Sequence, residues 1–133
     1  MKPAFADSHF FLALLNPRDQ HHDLAVKTAQ AMTRPIVTTQ FVLTEVADAC
    51  ARPALRFQFQ DLYVRLLANP NARIVPMTAD FFASGIDLYS RRPDKDWSLT
   101  DCTSFITMEQ ENITDALTAD HHFEQAGFVA LLK

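Results

Sequence analysis

Glycine is almost missing from this chain, with two residues in 133 against seven prolines. That scarcity disfavours a glycine-rich phosphate loop and an all-β fold built on tight turns. Long apolar runs are missing too, since none approaches the roughly 18 residues of a membrane span. The N-terminus shows no basic flank leading into an apolar stretch, because Asp7, Ser8 and His9 interrupt it. We therefore expect a cytoplasmic protein with no membrane segment. Cysteine is confined to Cys50 and Cys102, without the Cys-x-x-Cys or Cys/His spacing of a zinc site. Both read as small buried thiols in a reducing compartment. Excess positive charge is lacking as well: the net charge of −4 is unlike that of a protein that coats nucleic acid.

What is present suits a globular chain, with 48% hydrophobic and 21% charged residues. A chain of this length buries roughly 65–70% of its unfolded surface, enough for one core over residues 1–133. Short apolar runs alternate with helical patterns. Strands are expected at Pro3–Ala6, "IVTT", "RIVPM", "DALT" and "FVALL". Between them, helices are expected at Phe10–Leu15, Asp19–Met32, Gln40–Ala51, Leu55–Ala68, Thr78–Tyr89 and Thr100–Glu111, with a short one in "HHFEQAG" ended by Gly127. Phe81, Phe82, Ile86 and Leu88 or Tyr89 are the expected inner contacts of the helix from Thr78. This alternation implies parallel pairing through right-handed crossovers, hence a three-layer α/β/α sandwich with a central sheet of four to five strands. In such sheets ligands collect at the carboxyl ends of the strands.

Four acids stand where solubility has no use for them: Asp7, Glu45, Asp101 and Asp120. Asp7 and Asp120 end strands. Glu45 shares a helix face with Phe41, Val42, Val46 and Ala49, and a buried carboxylate needs a proton, a cation or a metal. Each has a plainer explanation. Asp7, Asp101 and Asp120 suit helix capping, with Ser98-Leu99-Thr100-Asp101 reading as a capping box, and Glu45 could meet an arginine at a rim. Convergence would separate the readings. At about 5 Å and an effective dielectric near 20, each ionised pair repels by about 3 kcal/mol. A gathered quartet therefore needs a divalent cation or holds protons, and oxygen ligands favour Mg2+ or Mn2+ over Zn2+. Setting the four aside leaves 16 − 4 = 12 acids against 12 Lys and Arg, so the rest of the chain is neutral and tolerates a polyanion.

The order Asp7 in "FADSHFFLALL", Glu45 in "VTTQFVLTEVADA", Asp101 in "WSLTDCTSF" and Asp120 in "ALTADHHFEQAGF" closely resembles PIN-domain ribonucleases, and among them the VapC-type toxins of toxin–antitoxin pairs. The resemblance spans nearly the whole chain and is most specific from Trp97 to Phe128. It implies a PIN-like parallel sheet, an acidic pocket binding Mg2+ or Mn2+, and endonucleolytic cleavage of RNA. Asp7, Glu45, Asp101 and Asp120 match its acidic quartet, and Ser8 and Thr118 match polar positions lining the same pocket. It further implies a homodimer restrained by an antitoxin protein whose tail covers the pocket. Arg52, Arg56, Arg91, Arg92 and Lys95 are candidate contacts to the RNA backbone, with a solvated charged face as the alternative. Asp96 is expected on a solvated loop, and His121 and His122 at the surface or in a cap. Two other readings compete. An aspartyl phosphatase normally has a second aspartate two residues after the first, where this chain has His9. A non-catalytic module would dock a basic partner through the acidic pocket.

Overall fold

The computed structural model describes residues 1–133. Five strands form one parallel sheet: β1 (Ala4–Ala6), β2 (Ile36–Thr39), β3 (Ala72–Val75), β4 (Asp115–Leu117) and β5 (Val129–Ala130). Seven helices connect them: α1 (Ser8–Leu15), α2 (His22–Ala31), α3 (Gln40–Ala49), α4 (Pro53–Ala68), α5 (Ala79–Arg91), α6 (Leu99–Gln110) and α7 (His121–Gln125). The expected α/β/α sandwich is the observed one.

Local chemistry accounts for most boundaries. Pro76, which lacks an N–H, follows the last residue of β3. Thr39 and Thr78 cap α3 and α5, their hydroxyls accepting from the Val42 and Phe81 N–H groups. Pro53 opens α4 at the first turn, where a missing N–H costs nothing. After α7 the chain turns at Gly127, whose φ of 95° is open to glycine at no steric cost.

The strand order β3-β2-β1-β4-β5 decides where a ligand can sit. From the central β1 the chain moves outward to β2 and β3, then returns to β4 on the other side of β1. Right-handed crossovers then place the helices of the two halves on opposite faces. A crevice must open at the carboxyl ends of β1 and β4, where those directions part. β1 is buried throughout, as a central parallel strand with both faces covered should be. Ala6 pairs with Leu117, so Asp7 and Thr118 emerge side by side at that crevice.

The core gathers Phe5, Phe10, Phe11, Val42, Val46, Trp97, Phe105, Met108 and Phe123 around the sheet. Phe105 packs edge-on to both Trp97 and Phe123, with ring centroids 4.9 Å apart in each pair. On α5 the inner face differs from expectation. Gly85 is buried, while Phe82, Ile86 and Tyr89 are exposed. The reason is close approach. A Cβ on Gly85 would stand 2.6 Å from Thr103 Cγ2 of α6, so the two helices meet at a glycine rather than through large side chains.

Candidate metal centre

Three carboxylates from three corners of the chain share the switch-point crevice. Asp7 follows β1, Asp101 lies in the first turn of α6, and Asp120 follows β4. Asp7 is 2% exposed and makes no side-chain capping bond to α1, so capping does not explain it. Instead its Oδ2 accepts a hydrogen bond from Thr118 Oγ1 at 2.9 Å. The Thr118 hydroxyl also accepts from the Asp120 N–H at 3.1 Å, linking the β1 and β4 corners.

For Asp101 and Asp120 the capping role and the crevice coincide. Asp101 completes a capping box: its N–H donates to Ser98 Oγ at 3.0 Å, and its Oδ2 accepts from the Ser98 N–H at 3.1 Å. Asp120 caps α7 through Oδ1, which accepts from the His122 N–H at 2.9 Å. Glu45 is half-buried on α3 and accepts a hydrogen bond from the Ser8 hydroxyl. No arginine meets it. Its partner is Ser8, the residue beside Asp7, rather than a cation.

Electrostatics marks the cluster as uncompensated. Burial pushes the Asp7 carboxyl up from 3.8 to about 6, against the pull of the Ser8 backbone N–H and the Thr118 hydroxyl, and the nearby Asp101 raises it further. Burial, followed by the charge of Asp120, raises Asp101 as well, although the Ser98 N–H and His122 pull it down. Every ion pair to Asp101 or Asp120 comes from an imidazole, and no Lys or Arg pairs with any of the four acids. Carboxylate oxygens gathered without a lysine or arginine among them suit a hard divalent ion.

Histidine placement corrects the expectation from sequence. His121 is exposed, but His122 is mostly buried, with Nδ1 3.0 Å from Asp101 Oδ2 and 3.4 Å from Asp120 Oδ1. Its ring bridges the two carboxylates. His9 Nε2 lies 4.0 Å from Asp120 Oδ2. The signal that could have found His122 is its position: an Asp-His-His triplet just after a strand places its second histidine inside the first turn of the next helix.

None of the lysine and arginine residues pairs with the four carboxylates. Arg92 forks onto Asp94 and lies 5.0 Å over the Trp97 ring, and Arg91 pairs with Asp87. Arg52 and Arg56 are exposed at the start of α4, with Arg56 Nε donating to the Ala51 carbonyl. Lys95 is half-buried in the loop after α5, and Asp96 is exposed on the same loop. Cys50 and Cys102 are buried free thiols.

The sequence profile of the PIN domain family matches residues 4–129. The chain is 29% identical over 126 residues to the 23S rRNA-specific endonuclease VapC20 of two Mycobacterium tuberculosis strains, covering 94% of this chain and 95% of the relative. The crystal structure of M. tuberculosis VapC20, described as a sarcin–ricin loop cleaving toxin, superposes with a TM-score of 0.85 at 26% identity, over 95% of this chain and 96% of that one. FitAcB from Neisseria gonorrhoeae shares the fold, with a TM-score of 0.66 at 18% identity over 96% and 95% of the two chains.

Proposed function

This chain belongs to the PIN domain family, and on that basis we propose that it is a Mg2+- or Mn2+-dependent endoribonuclease, the cytoplasmic toxin of a toxin–antitoxin pair. One observation carries the reading. Asp7, Asp101 and Asp120 meet at the switch-point crevice with no lysine or arginine to neutralise them. Asp7, Glu45, Asp101 and Asp120 would hold the ion. When bound, it would lower the pKa of a coordinated water and offset charge building on the phosphoryl oxygens.

The chain's own groups prepare that step. Thr118 fixes the rotamer of Asp7 by donating to Oδ2. Ser8 does the same for Glu45, and Ser98 with His122 for Asp101. Ligands held in this way need little reorganisation as charge develops on the substrate. A bound cation would hold Asp7 ionised against the burial that raises its carboxyl to about 6 in the metal-free fold. Arg52, Arg56, Arg91, Arg92 and Lys95 would contact backbone phosphates beyond the cleavage point.

The similarity to a sarcin–ricin loop cleaving toxin supports that loop of 23S rRNA as the first substrate to test. The exposed apolar side chains of α4 and α5, namely Phe57, Val64, Leu67, Phe82, Ile86 and Tyr89, support a homodimer and an antitoxin contact. No helix is long and apolar enough to cross a membrane. The test is cleavage of a synthetic sarcin–ricin loop RNA by the wild type and by Asp101→Asn, each with Mg2+ or with EDTA. We expect cutting only by the wild type with metal. Equal cutting in all four reactions would overturn the proposal.

A further inference from the structure

The reading of the crevice as a metal centre treats its donors as oxygens, yet an imidazole stands at its mouth. We propose that His9 is a nitrogen ligand of the cation held between Asp7 and Asp120, and that it biases the centre toward Mn2+ over Mg2+. This inference rests on the metal-centre reading and deepens it by naming the ion.

Geometry is the first support. A carboxylate oxygen of Asp7, a ring nitrogen of His9 and a carboxylate oxygen of Asp120 all lie within 4.8 Å of one another. Ligands at about 2.1 Å from a six-coordinate ion stand about 3 Å apart when adjacent and about 4.2 Å apart when opposite. The three atoms therefore need to close by less than about 2 Å. The His9 side chain is 50% exposed and makes no hydrogen bond that would tether its ring, so its rotamer is free to move inward.

Topology is the second. Asp7 and His9 lie two residues apart at the start of α1, and Asp120 arrives from the β4 corner on the other side of the crevice. The three thus form a clamp across the switch point. His122 is differently placed. Its Nδ1 is taken by Asp101, which makes it a residue that orients carboxylates. His121 Nδ1 is 3.6 Å from Asp120 Oδ1 and groups with Asp120 and His122 at ligand distances, but its side chain is 63% exposed and that group leaves out Asp7.

Chemistry supplies the bias. Mg2+ is a hard ion that prefers oxygen and dehydrates reluctantly, whereas transition ions accept imidazole readily. One nitrogen at the mouth therefore gains more for Mn2+ than for Mg2+.

The experiment uses the purified full chain and Mn2+ alone as the probe, followed by competition with Mg2+. Pulsed electron paramagnetic resonance reads the 14N modulation of an imidazole bound to Mn2+, independently of any cleavage. We expect modulation in the wild type, its loss in His9→Ala and its retention in His121→Ala. Loss of even an outer-shell partner costs about 10–100-fold in metal affinity, so the affinity for Mn2+ should fall about tenfold or more in His9→Ala, and that for Mg2+ by less. Circular dichroism confirms that this exposed-site variant is folded. Bound Mn2+ without modulation in the wild type, or modulation that persists in His9→Ala, overturns the assignment of His9 and leaves the metal centre standing. A wild type that binds neither ion overturns the metal centre itself, and the inference with it.

Discussion

Replacing Asp7 by asparagine should stabilise the metal-free protein while abolishing its activity. The buried carboxyl titrates near 6 in the fold against 3.8 for the free side chain. A carboxylate whose folded pKa is raised contributes its full stability below the unfolded value, and that contribution is lost as pH rises through the folded one. At about 1.4 kcal/mol per pH unit, linkage makes Asp7 a cost of about 2 kcal/mol at pH 5 and about 3 kcal/mol at pH 8. The asparagine side chain keeps an oxygen to accept from Thr118 and carries no charge. In EDTA, urea denaturation followed by the fluorescence of Trp97, the single and buried tryptophan, should show Asp7→Asn as the more stable protein. The gap should widen by about 1 kcal/mol between pH 5 and pH 8. Adding Mn2+ should reverse the order, because only the wild type gains RT ln(1 + [Mn2+]/Kd). An asparagine variant no more stable than the wild type in EDTA, or a gap flat with pH, would refute the reasoning.

Other consequences follow from the same geometry. Thr118→Val removes a buried donor from Asp7 Oδ2, which should cost about 1–3 kcal/mol and raise the Asp7 pKa further, moving the acid limb of the pH–activity profile toward alkaline pH. Gly85→Ala drives a methyl against Thr103 Cγ2, at 2.6 Å; overpacking of about 1–3 kcal/mol should lower the Tm by several degrees, and the double variant Gly85→Ala/Thr103→Ser should recover part of the loss. Arg52 and Arg56 carry no ion pair, unlike Arg91 and Arg92, so Arg52→Ala/Arg56→Ala should weaken RNA binding and flatten the slope of log K against log salt by about 0.7 for each phosphate left without its arginine. An unchanged slope would remove both residues from the RNA path.

Some of this is legible in the chain. "IVTT" is β2 to the residue, and the alternation of apolar runs with helical stretches leads directly to a parallel sheet. Glu45 is conspicuous because it breaks an apolar helix face, and it lies half-buried beside Ser8. The capping-box pattern at Ser98–Asp101 forms as written and also delivers a carboxylate to the crevice. Other features depend on long-range approach, which a local pattern does not encode. Periodicity assigns Phe82 and Ile86 to the core, but the meeting of α5 and α6 at Gly85 turns them outward. The Asp-His-His triplet puts His122 in the first turn of α7, but the local pattern does not show that Asp101, 21 positions away, lies 3.0 Å from its ring. The strand order, and with it the reason why Asp7 and Asp120 face each other, is likewise a property of the assembled sheet.

Crystals soaked in Mn2+ and measured at its absorption edge would test most directly whether these distant acids form one ion site. We predict a single strong anomalous peak within bonding distance of carboxylate oxygens from Asp7, Asp101 and Asp120, absent from the Asp7→Asn crystal. Manganese found elsewhere on the molecule, or a peak indifferent to that substitution, would contradict the account.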